Sequence, residues 1–479
     1  MSPKPYPHYK ESGTHWRGPV PNHWVELPGL AVLLEKQVRN SGLKEKTVLS
    51  LSYGKIIIKQ IEKLHGLVPE SFETYQIVGP GDIIIRSTDL QNDKVSLRVG
   101  EVRDIGIITS AYLCLRAKNG LTARYAYLLL HGFDLMKVFY GLGSGLRQNL
   151  SWIDFKRLPF FIPPAEEQEQ IVRYLDWKTS QITKFIKAKK RQIELLKEQK
   201  QVIISEAVTG KIDVLTGKPY LNYKNSEVKY LGRIPEHWKV RKLKHCIKFL
   251  TDYTANGSFA DLAKNVTYLE EGFARLVRLT DLRADFENVG VYINENAYEY
   301  LAKSKLFGGE LLMANVGAYS GYSFVVPKRL NFKASLGPNM YVIFFNQLMN
   351  SDFAYFLLNS EPILNSILLT ATSTAQPKLN KNNVKEVTVP IPSVSEQIAL
   401  LKYLIDNTTL INNAIFRIEN EIALIKEYKN SLIIETVTGK VDVRDIMVPD
   451  LKEGDIIPDL EETSEAEEVL DDATVDNDL

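Results

Sequence analysis

Between residues 182 and 207, apolar side chains recur at steps of four and three: Ile182, Ile186, Ile193, Leu196, Ile203 and Ala207, with Lys189 and Lys200 in the same series. The series returns 229 positions later as Ile411, Ile415, Ile418, Ile422, Ile425, Lys429, Leu432 and Thr436. Such spacing is the heptad signature of a helix that lays one stripe against another helix. Pro163 and Pro164, followed by Glu166 and Glu167, predict the helix start, because proline is tolerated in a first turn and carboxylates complement the N-terminal dipole. "TGK" at 209–211 and 438–440 predicts the stop, with glycine just past the last periodic residue. Two helices follow, each about 44 residues and on the order of 65 Å long if unbroken. Neither can bury its stripe alone, but the two can bury each other. An antiparallel pair is expected, with the two intervening regions at its opposite ends.

Those intervening regions carry a different pattern. The short apolar runs "KIIIKQIE" (55–62), "GDIIIRST" (81–88), "ELLMANVG" (310–317) and "SFVVPK" (323–328) read as buried strands. "ARYAYLLLHGFDLMKVF" (123–139) and "DFAYFLLNSEPILNSIL" (352–368) read as helices. The fold class is therefore α+β: two mixed α/β regions alternating with two long helices.

The periodicity belongs to an internal duplication. Residues 163–214 align without gaps to 392–443 with 21 of 52 positions identical, among them Glu167/Glu396, Gln168/Gln397, Tyr174/Tyr403 and Lys211/Lys440. Residues 4–24 align to 218–238 at 10 of 21 positions, with an offset of 214. Between these blocks only fragments match, such as "YAYLLL" (125–130) and "FAYFLL" (353–358). The expected organisation is 1–160, a first variable domain; 161–214, a first spacer helix; 215–390, a second variable domain; 391–444, a second spacer helix; and 445–479, an acidic tail expected to be disordered. A shared frame implies a shared mechanical job or partner, and divergent interiors imply two different things recognised or merely looser constraint.

Charge sharpens this. The net charge of +1 conceals a tail from Asp445 to Leu479 with 14 acidic residues and one lysine, which leaves about +14 on residues 1–444. A basic body favours a polyanionic partner, and an acidic tail could compete with it. Two isolated cysteines, Cys114 and Cys246, suit a reducing cytoplasm and give no zinc-ligand spacing. No signal-peptide pattern and no apolar run of spanning length is present, so a cytoplasmic location is expected.

No catalytic constellation stands out. The sequence has no P-loop and no GxGxxG after a strand, and "GLGSGLRQ" (141–148) lacks the P-loop lysine. His15, His23 and His237 lie beside tryptophan or proline and read as packing residues rather than metal ligands. The candidates that remain suit nucleic acid. "GSGLRQNLSW" (143–152) and "TSTAQPKLNK" (372–381) occupy equivalent places before the long helices and offer Ser144, Arg147 and Gln148, and Ser373, Thr374, Gln376 and Lys378. Strand ends add Arg86, Ser87, Thr88, Arg278, Thr280, Asn315 and Tyr319. Arginine can grip guanine and glutamine adenine, while hydroxyls and lysine suit phosphates.

"IPPAEEQEQIVRYLD", a long helix ending "EAVTGKIDV", then "YKNSEVKYLGRIPEHW" and the same again: the chain resembles the specificity subunit of type I restriction–modification systems up to about residue 444. The resemblance implies two target-recognition domains, each reading half of a split double-stranded DNA target, with the paired helices as spacer. It implies a non-catalytic chain without cofactor or metal, docked to two modification subunits that methylate adenine with S-adenosylmethionine. ATP- and Mg-dependent restriction subunits would complete the enzyme. Other classes stay open: a two-domain coiled-coil scaffold for proteins, a DNA-modifying enzyme with a site not visible in the pattern, or the specificity chain of a methylation-only system.

Overall fold

The computed structural model describes residues 4–59, 71–142, 148–371 and 377–450. The chain divides into two compact units, Met1–Lys190 with Glu419–Leu479, and Arg191–Ile418. Each unit thus holds one variable region, part of one long helix and the opposite part of the other.

The two variable regions share a sheet plan despite their diverged sequences. In the first unit, β1 (Leu33–Glu35), β2 (Asp82–Ile85), β3 (Val99–Glu101) and β4 (Leu113–Ala117) form an antiparallel sheet in the order β1-β4-β2-β3. In the second, β5 (Ile247–Asp252), β6 (Leu311–Ala314), β7 (Ser323–Val325) and β8 (Met340–Phe345) form one in the order β5-β8-β6-β7, again antiparallel. Both sheets are covered on two faces, which is why β2 and β6 read as continuous apolar runs. Ile83, Ile85 and Leu115 join the core under helix α1 (Ala123–Leu135), while Ile84 and Cys114 face Leu49, Val78 and Ile108. Likewise Leu311, Met313, Tyr341 and Ile343 share one core and Leu312, Met340 and Val342 another. The second unit adds a further sheet in which Ala274–Val277 runs parallel to Lys333–Leu336.

The long helices are α2 (Ala165–Val208) and α5 (Val394–Val437). In the first unit Ile182 shares a core with Leu432, Ile433 and Val437, and the Lys189 ammonium lies 2.8 Å from Glu421. In the second, Lys200 donates to Asn412 at 2.9 Å, and Ile204 and Val208 share a core with Leu404 and Leu400. In each unit the partner number falls as the α2 number rises, so the helices pair antiparallel. Every seam position is buried or half-buried: Ile182, Ile193, Ile411, Ile418, Ile422 and Leu432 are buried, and Ile186, Leu196, Ile203, Ile415 and Ile425 half-buried.

The apolar stretch over 352–368 forms two helices, α3 (Ser351–Leu358) and α4 (Glu361–Leu368), rather than one. The Asn359 side chain accepts from the Ser323 N–H at 2.9 Å and donates to its carbonyl at 2.8 Å, which ties the break to β7, and Pro362 opens α4. The other helix ends at Leu135, before Lys137 in a left-handed conformation.

The duplicated residues build one clasp twice. Glu167, in the first turn of α2, receives the Tyr6 hydroxyl at 2.7 Å and the Trp24 indole N–H at 2.9 Å, and His23 Nε2 lies 2.7 Å from it. Glu396, in the first turn of α5, receives Tyr220 at 2.7 Å and Trp238 at 2.8 Å, with His237 Nε2 at 3.1 Å. Burial and the facing carboxylate push both tyrosines well above their usual range. The neighbouring Gln168 and Gln397 each accept one backbone N–H, from Thr122 or Asn350, before α1 or α3. "EQ" is thus a pair of anchors, one for the preceding frame segment and one for the variable region. The three histidines of the frame were expected as packing residues, and His23 and His237 belong to these clasps.

Both helices stop in the same way. Lys211 N–H bonds Glu206 O and Gly210 N–H bonds Ala207 O; Lys440 repeats this with Glu435 and Gly439 with Thr436. This is the Schellman pattern, with a positive-φ glycine past the last turn. After Gly210 the chain continues into residues 218–238, and Asp213 N–H bonds Lys218 O at 2.8 Å. After Gly439 the same bond is made to the beginning of the chain, Asp442 N–H to Lys4 O at 2.7 Å. The first unit is therefore built from both ends of the sequence, and the two repeat blocks have different offsets because the second variable region is 15 residues longer than the first.

One position breaks the equivalence. Arg17 is 2% exposed, its Nε and Nη1 have no hydrogen-bond partner among the described residues, and burial lowers its pKa to about 10. Its guanidinium carbon sits 4.9 Å from the Phe161 ring centre and 5.4 Å from that of Phe133. The equivalent in the second unit is Leu231, also buried. Arg17 Nη2 donates to Val437 O at 3.5 Å, and this long bond and the stacking only partly offset the desolvation of the cation. Arg17→Leu is therefore expected to stabilise the chain by about 1–3 kcal/mol, read by urea unfolding; a lower midpoint would contradict it.

Candidate nucleic-acid interface

In the first unit the end of β2 runs into a loop whose shape is set from beneath by Arg98. This side chain is fully buried and donates to the carbonyls of Arg86 (3.3 Å), Thr88 (2.8 Å) and Asp89 (3.1 Å), and to the Tyr140 hydroxyl (3.1 Å). One buried guanidinium, with five donors in a fixed plane, thereby folds the loop around itself. The loop holds Arg86 half-exposed, 3.1 Å from Asp93, and Thr88 half-buried. Burial raises the Asp93 carboxyl, but Ser96 and the Arg86 and Arg98 charges outweigh it and hold Asp93 below its usual range.

Ser87 does not face outward. It is 4% exposed and donates to Ala111 O at 2.8 Å, while its own carbonyl accepts Leu150 N–H at 2.8 Å. That second bond brings the loop before α2 against the end of β2. Gln148, in that loop, spends its amide on the carbonyls of Tyr140 and Leu142 at 2.8 and 3.0 Å. Ser144 and Arg147 lie outside the described residues, between Leu142 and Gln148.

The second unit repeats the arrangement with other residues. The end of β6 leads into Asn315–Tyr322, and the loop before α5 lies against it: Leu379 N–H bonds Asn315 O at 2.9 Å, Gly317 N–H bonds Pro377 O at 3.0 Å, and Ser320 donates to Pro377 O at 2.8 Å. Val316 pairs with Lys378. Asn315, Tyr319 and the exposed Lys378 thus share one locality. Arg283, at the end of the short helix Leu279–Arg283, stacks 4.2 Å from the Tyr319 ring centre. Arg278 caps that helix at its start, 3.3 Å from Asp281, and Thr280 lies half-buried behind it with a buried hydroxyl oxygen. Ser373, Thr374 and Gln376 lie outside the described residues.

In this unit too a buried arginine folds a turn, but that turn is the segment 278–288 rather than Asn315–Tyr322. Arg275 is 5% exposed and bonds Asp281 at 2.7 Å, the Asn288 side chain at 2.9 Å and Phe286 O at 3.2 Å. Arg98 and Arg275 are missed by the sequence reading. Their signal is present nonetheless: a lone arginine between apolar residues, just before β3 in "SLRVG" and inside a strand in "FARLV". Such a charge persists only where backbone carbonyls or carboxylates receive it.

Beneath the first loop Asp134 is fully buried and accepts the N–H groups of Arg98 and Val99. Burial pushes its carboxyl up to about 6 from 3.8. The folded chain then holds this proton more tightly than the unfolded one, so stability rises as pH falls from about 6 towards 4. Relative to Asp134→Asn, which does not titrate, the natural chain should gain on the order of 2–3 kcal/mol between pH 7 and pH 4. Urea unfolding of the two chains at both pH values checks this, and a pH-independent difference would contradict it.

Residues 37–195 and 235–423 match the family described as the type I restriction modification DNA specificity domain. The chain is 24% identical over 445 residues, 89% of its length and 96% of the relative's, to the putative type I restriction enzyme MjaX specificity subunit of Methanocaldococcus jannaschii. It is 23% identical over 289 residues, 58% of each chain, to the EcoBI specificity subunit of Escherichia coli. A solved structure from work on complex assembly and conformational transition of the type I R-M system is alike in fold, with a TM-score of 0.61 at 13% identity, covering 87% of this chain and 98% of that one. With both copies of the duplicated region matched, the chain belongs to the type I restriction modification DNA specificity family.

Proposed function

We propose that this chain reads a bipartite double-stranded DNA target, one half per variable region, in a cytoplasmic type I restriction–modification enzyme. The observation that carries the reading is the equivalence of the two strand-end loops. In each unit the segment before a long helix packs its backbone against the end of a sheet strand, Leu150 N–H on Ser87 O and Leu379 N–H on Asn315 O. The surroundings of these loops differ in sequence between the units, as two different half-sites require.

In this reading Arg86, Thr88, Arg278, Asn315, Tyr319 and Lys378 meet DNA, together with Ser144, Arg147, Ser373, Thr374 and Gln376. Ser87, Gln148 and Thr280 position the loops that carry them. The chain performs no catalysis. Two modification subunits bring S-adenosylmethionine and the pocket for a flipped adenine, and restriction subunits bring ATP and Mg. The helix pair docks the modification subunits and fixes the gap. Two weak readers on one rigid spacer act as a bivalent binder, so the distance between half-sites becomes part of the specificity.

Replacing residues 29–158 with the matching segment of another family member tests this. The exchange leaves the Glu167 clasp in place, so folding and assembly are retained. The methylated motif should change in one half and keep the other. A motif unchanged, or changed in both halves, would contradict the reading.

A further inference from the structure

The first unit contains a cleft of about 550 Å³ whose floor and rim differ in character. Ile56, Ile57, Leu97, Leu128, Ile186 and Ile433 contribute apolar surface, while Lys187 and Lys190 of α2 and Lys426 and Lys429 of α5 contribute charge. Seven lysine and arginine side chains and three carboxylates line it among the described residues. Two of those carboxylates, Glu101 and Asp176, are engaged by Arg124. Half of the cluster is peculiar to this unit: the counterparts of Lys187 and Lys190 are Phe416 and Glu419, while those of Lys426 and Lys429 are Lys197 and Lys200.

The chain leaves α5 on a path towards this cleft. Gln170 donates to the carbonyls of Val443 (2.9 Å) and Ile446 (2.7 Å), and Arg173 to that of Val448 (3.3 Å). The segment therefore ascends α2 from residue 170 to 173. The face continues through Asp176, Ser180, Thr183 and Lys187, spaced by three or four residues. From Arg173 to Lys187 is about 21 Å along the helix. The 29 residues that follow Asp450 contain 12 acidic residues and one lysine, with Ile456, Ile457 and Leu460 among the first ten. Even half-extended, they reach well beyond about 21 Å. We propose that this acidic segment, residues 451–479, docks in the cleft of its own unit, its carboxylates on the lysine rim and its isoleucines and leucine against the floor. Tethering gives it an effective concentration on the order of millimolar, so modest attraction suffices, and salt weakens it.

The full chain is treated at low ionic strength with a carbodiimide, which joins carboxylates to amines in direct contact, and the products are mapped by mass spectrometry. Links should run from Glu453–Glu468 to Lys187, Lys190, Lys426 and Lys429 within one molecule, independent of protein concentration. A chain carrying E461Q, E462Q, E465Q, E467Q and E468Q should lose the links from residues 461–468, and its four rim lysines should acylate several-fold faster. Links concentrated on exposed lysines elsewhere, such as Lys224 and Lys248, or formed between molecules, would overturn the proposal. So would acylation rates that ignore the five substitutions and respond only to added duplex DNA, which would make DNA the occupant.

Discussion

Gly439→Ala destabilises the first unit by about 2–5 kcal/mol, while Gly13→Ala costs about 1–2 kcal/mol. Both glycines have positive φ, +78° and +66°. Each substitution therefore carries the left-handed penalty of about 1–2 kcal/mol. At Gly13 nothing lies within 4 Å of the new Cβ, whereas at Gly439 it would fall 2.3 Å from Pro21 Cδ and 3.1 Å from the Trp24 ring. Proline cannot rotate out of the way, and Trp24 is held by Glu167, so overpacking adds about 1–3 kcal/mol. The effect is large because Gly439 does two jobs. It ends α5, and it admits the beginning of the chain against that end, where no peptide bond holds the two together. Gly210 meets Pro235 and Trp238 in the same way, at 2.3 and 3.1 Å. Thermal unfolding of the two alanine variants checks the contrast, and equal losses at Gly439 and Gly13 would contradict it.

Lengthening both long helices changes the gap in the DNA target and leaves the half-sites as they are. A seven-residue insertion after Lys190 and another after Ile418 keep the heptad phase of both stripes. Each adds about 10 Å of helix, against roughly 3.4 Å per base pair of DNA. The unspecified gap is expected to grow by about one to three base pairs. Methylation at the original spacing should fall at least a hundredfold, because both half-sites can no longer be engaged at once and the bivalent advantage of about 10²–10⁴ is lost. Sequencing of methylated adenines in cells carrying the lengthened chain reads both numbers. An unchanged gap would show that the helices are not the spacer.

Much of the frame was legible before any coordinates. Two copies of a heptad stripe, with proline and carboxylates before and glycine after, leave few alternatives to a long paired helix. The identical Glu167/Glu396 and Gln168/Gln397 were visible as matches, but not as anchors, because their partners Tyr6, Trp24 and Thr122 lie far away in sequence. The common sheet order of the variable regions was not legible. Strand pairing is non-local, and Leu113–Ala117 and Met340–Phe345, the strands adjoining β2 and β6, were not singled out. The break at Asn359 was hidden by a continuous apolar stripe, since it depends on hydrogen bonds to Ser323. Among the candidate contacts, sequence names the loops but not which way their side chains turn. Ser87 faces Ala111 and Gln148 turns to the carbonyls of Tyr140 and Leu142, and neither is visible without the fold. Arg98 and Arg275 are not legible as anchors, because a charge beside or inside a strand reads as an exposed edge until burial is known.

The measurement that bears most directly on the central claim is a map of methylated adenines in cells expressing this chain with its cognate modification subunit, beside cells expressing the modification subunit alone. The account predicts a split motif, two short specified halves around a fixed gap, present only with the chain. Co-purification of the two proteins with no motif, or a motif present without the chain, would contradict it.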